Sequence, residues 1–253
     1  PKPTSAFSSA INLYAGNANS VNEPADEYVT IENRGLADVN ITGWRLENGK
    51  GQRTYAAGST EVHYASDSAT LPQGAKIIPA SGSSALQNII LKSGERAHII
   101  TGSPGNLSTT KVVSFKENLC TLYLAETYRF PAPLEKSCVR PTNEFGLQNL
   151  DRNCQDYIQT MRTCHTPKFD GVDSSGDICS DCIDGTAGLS GLCTAFIKER
   201  YSYKGCLANH ISDKNFEGSA WYVYLYRPFE MWAVDREIIS LYDSFGQLVA
   251  SYS

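Results

Sequence analysis

Apolar and polar residues alternate with period two at both ends of the chain, and the pattern is lost in the middle. In "EYVTIEN", Val29 and Ile31 fall on one side, with Tyr28, Thr30 and Glu32 on the other. Such alternation predicts a half-buried strand. After the turn residues Asn33-Arg34-Gly35, "ADVNITGWRLEN" carries Val39, Ile41, Trp44 and Leu46. Further strands are expected in "LPQGAKIIPASG" and "GERAHIITG", each bounded by Gly or Pro. The last residues, "DREIISLYDSFGQLVASYS", predict a hairpin turning at Asp243-Ser244-Phe245-Gly246. A lone hairpin is marginal in water, so its partners must lie earlier in the chain.

The period changes between these regions. "NCQDYIQTMRTC" places Cys154, Tyr157, Ile158, Met161 and Cys164 near helical spacing, and "GLCTAFIKERY" does the same for Leu192, Ala195 and Phe196. Between them runs a Gly/Ser/Asp-rich loop. The pattern predicts an extended lead-in over 1–24, a β domain formed by 25–114 plus 220–253, and a partly helical insertion over 115–219. An insertion at a loop tip costs little closure entropy, which grows only logarithmically with length.

Cysteine usage sharpens this division. Cys120, Cys138, Cys154, Cys164, Cys179, Cys182, Cys193 and Cys206 all fall in the middle stretch. An even number in one segment reads as a local disulfide framework formed in an oxidising compartment, hence a secreted or cell-surface protein. The favoured pair is Cys193–Cys206, whose two residues are separated by a short helix and turn. Zinc held by Cys179, Cys182, Cys193 and Cys164 or His165 is the competing reading, but a second half-site is missing. The chain starts at Pro1 without Met, so an upstream segment is expected. A net charge of -5 argues against a nucleic-acid partner, and the apolar runs are too short to span a bilayer.

The two ends together resemble the lamin tail domain family. The residues that carry the likeness are the strand Glu27–Asn33, the stretch Gly43-Trp44-Arg45-Leu46, and the closing strand–turn–strand Leu241–Ser253. Ala250 stands where that family often has Asp. The resemblance implies an immunoglobulin-like β-sandwich completed by the closing hairpin, with Trp44 in its core. The Cys-rich middle is more similar to exported bacterial members of the family than to nuclear lamins.

Candidate chemistry is sparse. Cys179-Ser-Asp-Cys182 has the spacing of a reactive dithiol, but no βαβ context accompanies it. Asp170, Asp173 and Asp177, with Asp181 and Asp184, crowd one loop. They read either as a solvated acidic loop or as oxygen ligands for calcium, without EF-hand spacing. Cys206 with His210 and Asp213 would be a nucleophile–base arrangement only if Cys206 were a free thiol. Phe229, Glu230, Trp232 and Asp235 combine aromatics and acids, as a sugar site or a β-edge would. Tyr222, Tyr224 and Tyr226 share one face of "WYVYLY" and are either an exposed binding row or a row covered by the insertion. The expected function is non-catalytic: an exported binding, adhesion or tethering module for a protein or cell-envelope component. The alternatives are a hydrolase with its site between the sandwich and the insertion, and a metal-stabilised structural module.

Overall fold

A computed structural model describes residues 3–49, 53–57, 60–64, 67–78, 85–104, 106–107, 110–169, 171–179, 182–232 and 237–253. The chain divides into two compact units. One comprises 1–117, 130–133 and 219–253, and the other 118–129 and 134–218.

The first unit is built of strands. Its larger sheet has seven, in the order Ile11–Tyr14, Tyr28–Asn33, Arg96–Ile100, Glu217–Tyr224, Phe115–Asn118, Gly74–Ala75 and Leu86–Gln87. Residues 1–24 are therefore more than a lead-in. Ile11–Tyr14 pairs antiparallel with Tyr28–Asn33 and buries Ile11 and Leu13. Arg96–Ile100 is antiparallel to Tyr28–Asn33 but parallel to Ala220–Tyr224. The parallel pairing requires a long connection, and the intervening chain provides it. A second sheet has the order Leu248–Tyr252, Ile239–Tyr242, Arg45–Glu47, Ser68–Thr70.

Both sheets feed one apolar cluster. Val29, Ile31, Ile99, Trp221 and Val223 come from the first, and Leu46, Ile239, Leu241 and Val249 from the second. Trp44 is 2 % exposed in the same cluster, 5.3 Å from Phe7 between ring centroids. The closing hairpin thus completes a core begun by the first strands. Leu241 lies opposite Leu46, and Ser5 N donates to Leu248 O at 2.8 Å. Its turn is held by Asp243, whose Oδ1 accepts from the backbone of Phe245 and Gln247. Gly246 has φ +75°, a conformation costly for residues with a Cβ.

Among the described residues the second unit holds three α-helices: α1 (Arg152–Thr160), α2 (Gly191–Arg200) and α3 (Tyr203–His210). The helix foreseen over 153–164 ends at Thr160, and Cys164 takes φ +62°. Each helix is started by a side chain that accepts a backbone N–H of its first turn: Asp151, Ser190 and Ser202. Two of these caps are themselves joined, because Ser190 Oγ donates to Asp151 Oδ2 at 2.6 Å. The Cys154–Cys193 disulfide ties the first turns of the same two helices. Around it pack Tyr157, Ile158, Ile183, Leu189, Phe196, Ile197 and Tyr201.

All eight cysteines are paired, as Cys120–Cys206, Cys138–Cys164, Cys154–Cys193 and Cys179–Cys182. The expected Cys193–Cys206 pair is thereby corrected. Cys193 starts α2 next to α1, while Cys206 lies in α3 and reaches back to Cys120 beside the 3-10 turn Thr121–Glu126. The pairing leaves none of the eight cysteines as a thiolate for the zinc reading in this structure. Among the described residues no helix is long and apolar enough to cross a membrane.

Candidate functional site

The second unit carries an open cleft of about 560 Å³. It lies where α1 ends and the loop from Val172 to Thr186 returns, and it is lined by Tyr157, Arg162, His165, Lys168, Asp173 and Asp184, among others. His165 is one of its lining residues. The tight turn made by Cys164, which is bonded to Cys138, leaves the imidazole between two carboxylates. Nδ1 is 2.7 Å from Glu126 Oε1 and Nε2 is 2.9 Å from Asp184 Oδ2.

The surroundings fix the charges. Asp184 Oδ1 accepts from Lys168 N, and its Oδ2 accepts also from the Tyr157 hydroxyl at 2.8 Å. Glu126 Oε2 accepts from Thr166 N. Burial by itself would lower the His165 pKa, but the bonds to Glu126 and Asp184 outweigh it and hold the imidazole above the ordinary histidine value. Burial would likewise raise Asp184, yet its donors keep it below the usual carboxylate range. Tyr157 is pushed upward by burial and by its bond to Asp184.

This arrangement has a chemical consequence. Both ring nitrogens lie within hydrogen-bond distance of a carboxylate, so the neighbours favour the charged imidazole and leave neither nitrogen open to the cleft. His165 is an electrostatic staple that holds the 3-10 turn ending at Glu126 against the loop bearing Asp184. Asp173 is occupied too, its Oδ1 accepting from Ser175 N and Asp177 N. The cleft's basic side chains are less engaged. Arg162 is largely exposed, with its guanidinium 3.9 Å from Glu126, and Lys168 is exposed.

The residues singled out in the sequence are distributed unevenly. Tyr222 and Tyr224 are fully buried, so of the two readings of this row the covered one holds, and the binding role assigned to them is corrected. The Phe130–Pro133 segment covers that face: Phe130 lies edge-on to Tyr222, and the Tyr222 hydroxyl donates to Pro133 O at 2.6 Å. Phe115 stacks on Tyr222 from the neighbouring strand, and only Tyr226 remains 42 % exposed. Cys206 is bonded to Cys120, so it is no nucleophile. His210 instead bridges Asp213 Oδ2 and Glu144 Oε1, a second histidine held between two carboxylates. Trp232 is a core residue, and Asp235 lies outside the described residues. So do Asp170 and Asp181 of the acidic loop. Among the described residues no three His, Cys, Asp or Glu side chains gather as metal ligands.

Several members of the cleft were visible beforehand only in other roles: His165 as a zinc ligand, Asp173 and Asp184 in the acidic loop, and Tyr157 and Met161 on a helix face. Glu126 gave no signal, since it stands 39 residues from His165. No family model, curated protein or solved structure matches this chain.

Proposed function

We propose that the protein is a non-catalytic, exported recognition module of the lamin-tail, immunoglobulin-like kind, acting at a cell surface through the cleft of its Cys-rich unit. The observation that carries this reading is the engagement of His165: in an open polar cleft its imidazole has both nitrogens against carboxylates, an arrangement that suits holding a ligand better than shuttling a proton. Further support comes from the cysteines, all of which are paired, as an oxidising compartment favours. The lamin-tail likeness is supported by the closing hairpin, which shares one core with the strands around Val29 and Leu46. In the cleft, Arg162 and Lys168 are the groups most available to an acidic or hydroxyl-rich feature of a protein or envelope polymer.

The test is retention of the purified protein on cell-envelope fragments and on immobilised envelope proteins. Replacing Arg162 and Lys168 together by Glu should weaken retention at least ~10-fold, about 1.4 kcal/mol, and leave the melting temperature within a degree or so. Retention unaffected by the double change would remove the cleft from the binding surface. Turnover of a peptide, ester or glycan substrate by the unaltered protein would overturn the non-catalytic reading.

A further inference from the structure

The four disulfides are not equally accessible. Cys120, Cys138, Cys154, Cys164, Cys182, Cys193 and Cys206 are all buried, at 6 % exposure or less. Cys179 is the exception, half-buried and following Ile178, which is 96 % exposed. Its bond to Cys182 also spans the shortest stretch, three residues against 26, 39 and 86 for the others.

The position of this bond matters more than its exposure. The chain on either side of it lines the cleft: Val172, Asp173 and Ser174 precede it, and Asp184, Gly185 and Thr186 follow. Polar contacts also join the loop among the described residues. Ser174 N donates to Gly185 O at 3.3 Å, Asp173 forms a single bridge with Gly185, and Cys179 N donates to Gly171 O. Ile183 is the loop's one member of the unit's apolar cluster. Residues 171–178 of the loop are exposed or half-buried, and their order rests on polar contacts and on the nearby covalent closure.

We propose that the Cys179–Cys182 disulfide is a thiol-exchange site that controls the order of the cleft, opened by an external dithiol and reclosed by an external disulfide. A thiolate of the dithiol attacks Cys179 Sγ. The new sulfur–sulfur bond forms as the Cys179–Cys182 bond breaks, and the electron pair leaves on Cys182 Sγ, which takes up a proton. The second thiol of the reagent then attacks its own sulfur in the mixed disulfide and releases Cys179 as a thiol. Two electrons pass to the protein and the dithiol becomes a disulfide. Opening removes the covalent tie within the loop that joins the two flanks, leaves only their polar contacts, and so loosens one wall of the cleft. The exchange needs no knowledge of the cleft's ligand, so it stands or falls separately from the recognition function.

The experiment uses the whole chain, limiting dithiothreitol without denaturant, alkylation by iodoacetamide, and peptide mapping. Cys179 and Cys182 should be labelled together, at least ~10-fold faster than any other cysteine. Hydrogen exchange of the mildly reduced protein should then quicken ~10-fold or more over 171–178 and 183–186 and stay unchanged over Val29–Ile31. A Cys179→Ser, Cys182→Ser double variant should reproduce that exchange pattern without reductant. First labelling at another pair, or equal labelling of all, would overturn the site. Unchanged exchange over both flanks in the reduced wild-type protein would overturn the control of the cleft, whether or not the double variant folds.

Discussion

Glu27 and His98 are buried ionisable residues in the β unit, and their proton balances oppose each other. Glu27 accepts from Met231 N and Trp232 N, and burial, partly offset by those bonds, pushes its carboxyl up to about 7. His98 lies among Thr30, Tyr28 and Tyr222, and burial, helped by Arg96, pushes its imidazole down to about 4. A raised carboxyl makes the folded state hold the extra proton between pH 4.5 and 7, so stability falls as pH rises there. A depressed histidine leaves the extra proton on the unfolded chain between pH 4 and 6.5, so stability rises. Where the windows overlap the two slopes cancel, and urea midpoints followed by Trp fluorescence should be nearly flat. Glu27→Gln should uncover a rise of up to ~1.4 kcal/mol per pH unit, and His98→Gln a fall of the same size. Parallel curves for both variants would show that neither group sets the pH response.

Among the elements, the closing hairpin supplies two strands of the second sheet. Ile239–Tyr242 sits between Leu248–Tyr252 and Arg45–Glu47, and it brings Ile239 and Leu241 into the core fully buried. Removing residues 237–253 exposes the Arg45–Glu47 edge and opens the cluster around Trp44. Such a truncated chain should lose the cooperative Trp transition. A truncated chain that melts cooperatively with blue-shifted Trp emission would contradict the shared core. This element was legible in the sequence because Asp243 and Gly246 are turn residues with a mechanism, flanked by alternating apolar residues. The strand Ile11–Tyr14 was not, because four residues in an Asn/Ser-rich stretch carry too little alternation. For the Tyr222 row, alternation told which residues share a face but not that Phe130 and Pro133 cover it. Disulfide partners and the Glu126–His165–Asp184 contact depend on how distant segments meet, which no local pattern encodes.

At the scale of the whole molecule, covalent and non-covalent stabilisation are segregated. Every cysteine lies in the unit formed by 118–129 and 134–218, whereas Trp44, Trp221 and Trp232 all lie in the other unit's core. The three longer disulfides are each worth ~3–5 kcal/mol in the chain-entropy estimate, together comparable with a domain's net stability of ~5–15 kcal/mol. Complete reduction should therefore abolish the helical signal of the Cys-rich unit while the Trp-monitored urea midpoint moves little. Loss of both signals together on reduction would show that the β core depends on the disulfides of the other unit.

The pairing of Leu46 with Leu241 also sets an order of events during synthesis. A ribosome adds roughly 5–20 residues per second, so the strand Arg45–Glu47 waits roughly 10–40 s for its partner to emerge. Arg96–Ile100 waits similarly for Ala220–Tyr224. During that interval the nascent chain presents Val29, Ile31 and Ile99 on incomplete sheets, the condition in which strand edges recruit other chains. The Cys-rich unit faces a shorter delay, since its widest disulfide spans 86 residues and its sequence is complete by residue 218. A message broken just after that point would yield a finished, disulfide-closed module carried on an unfinished, aggregation-prone sheet.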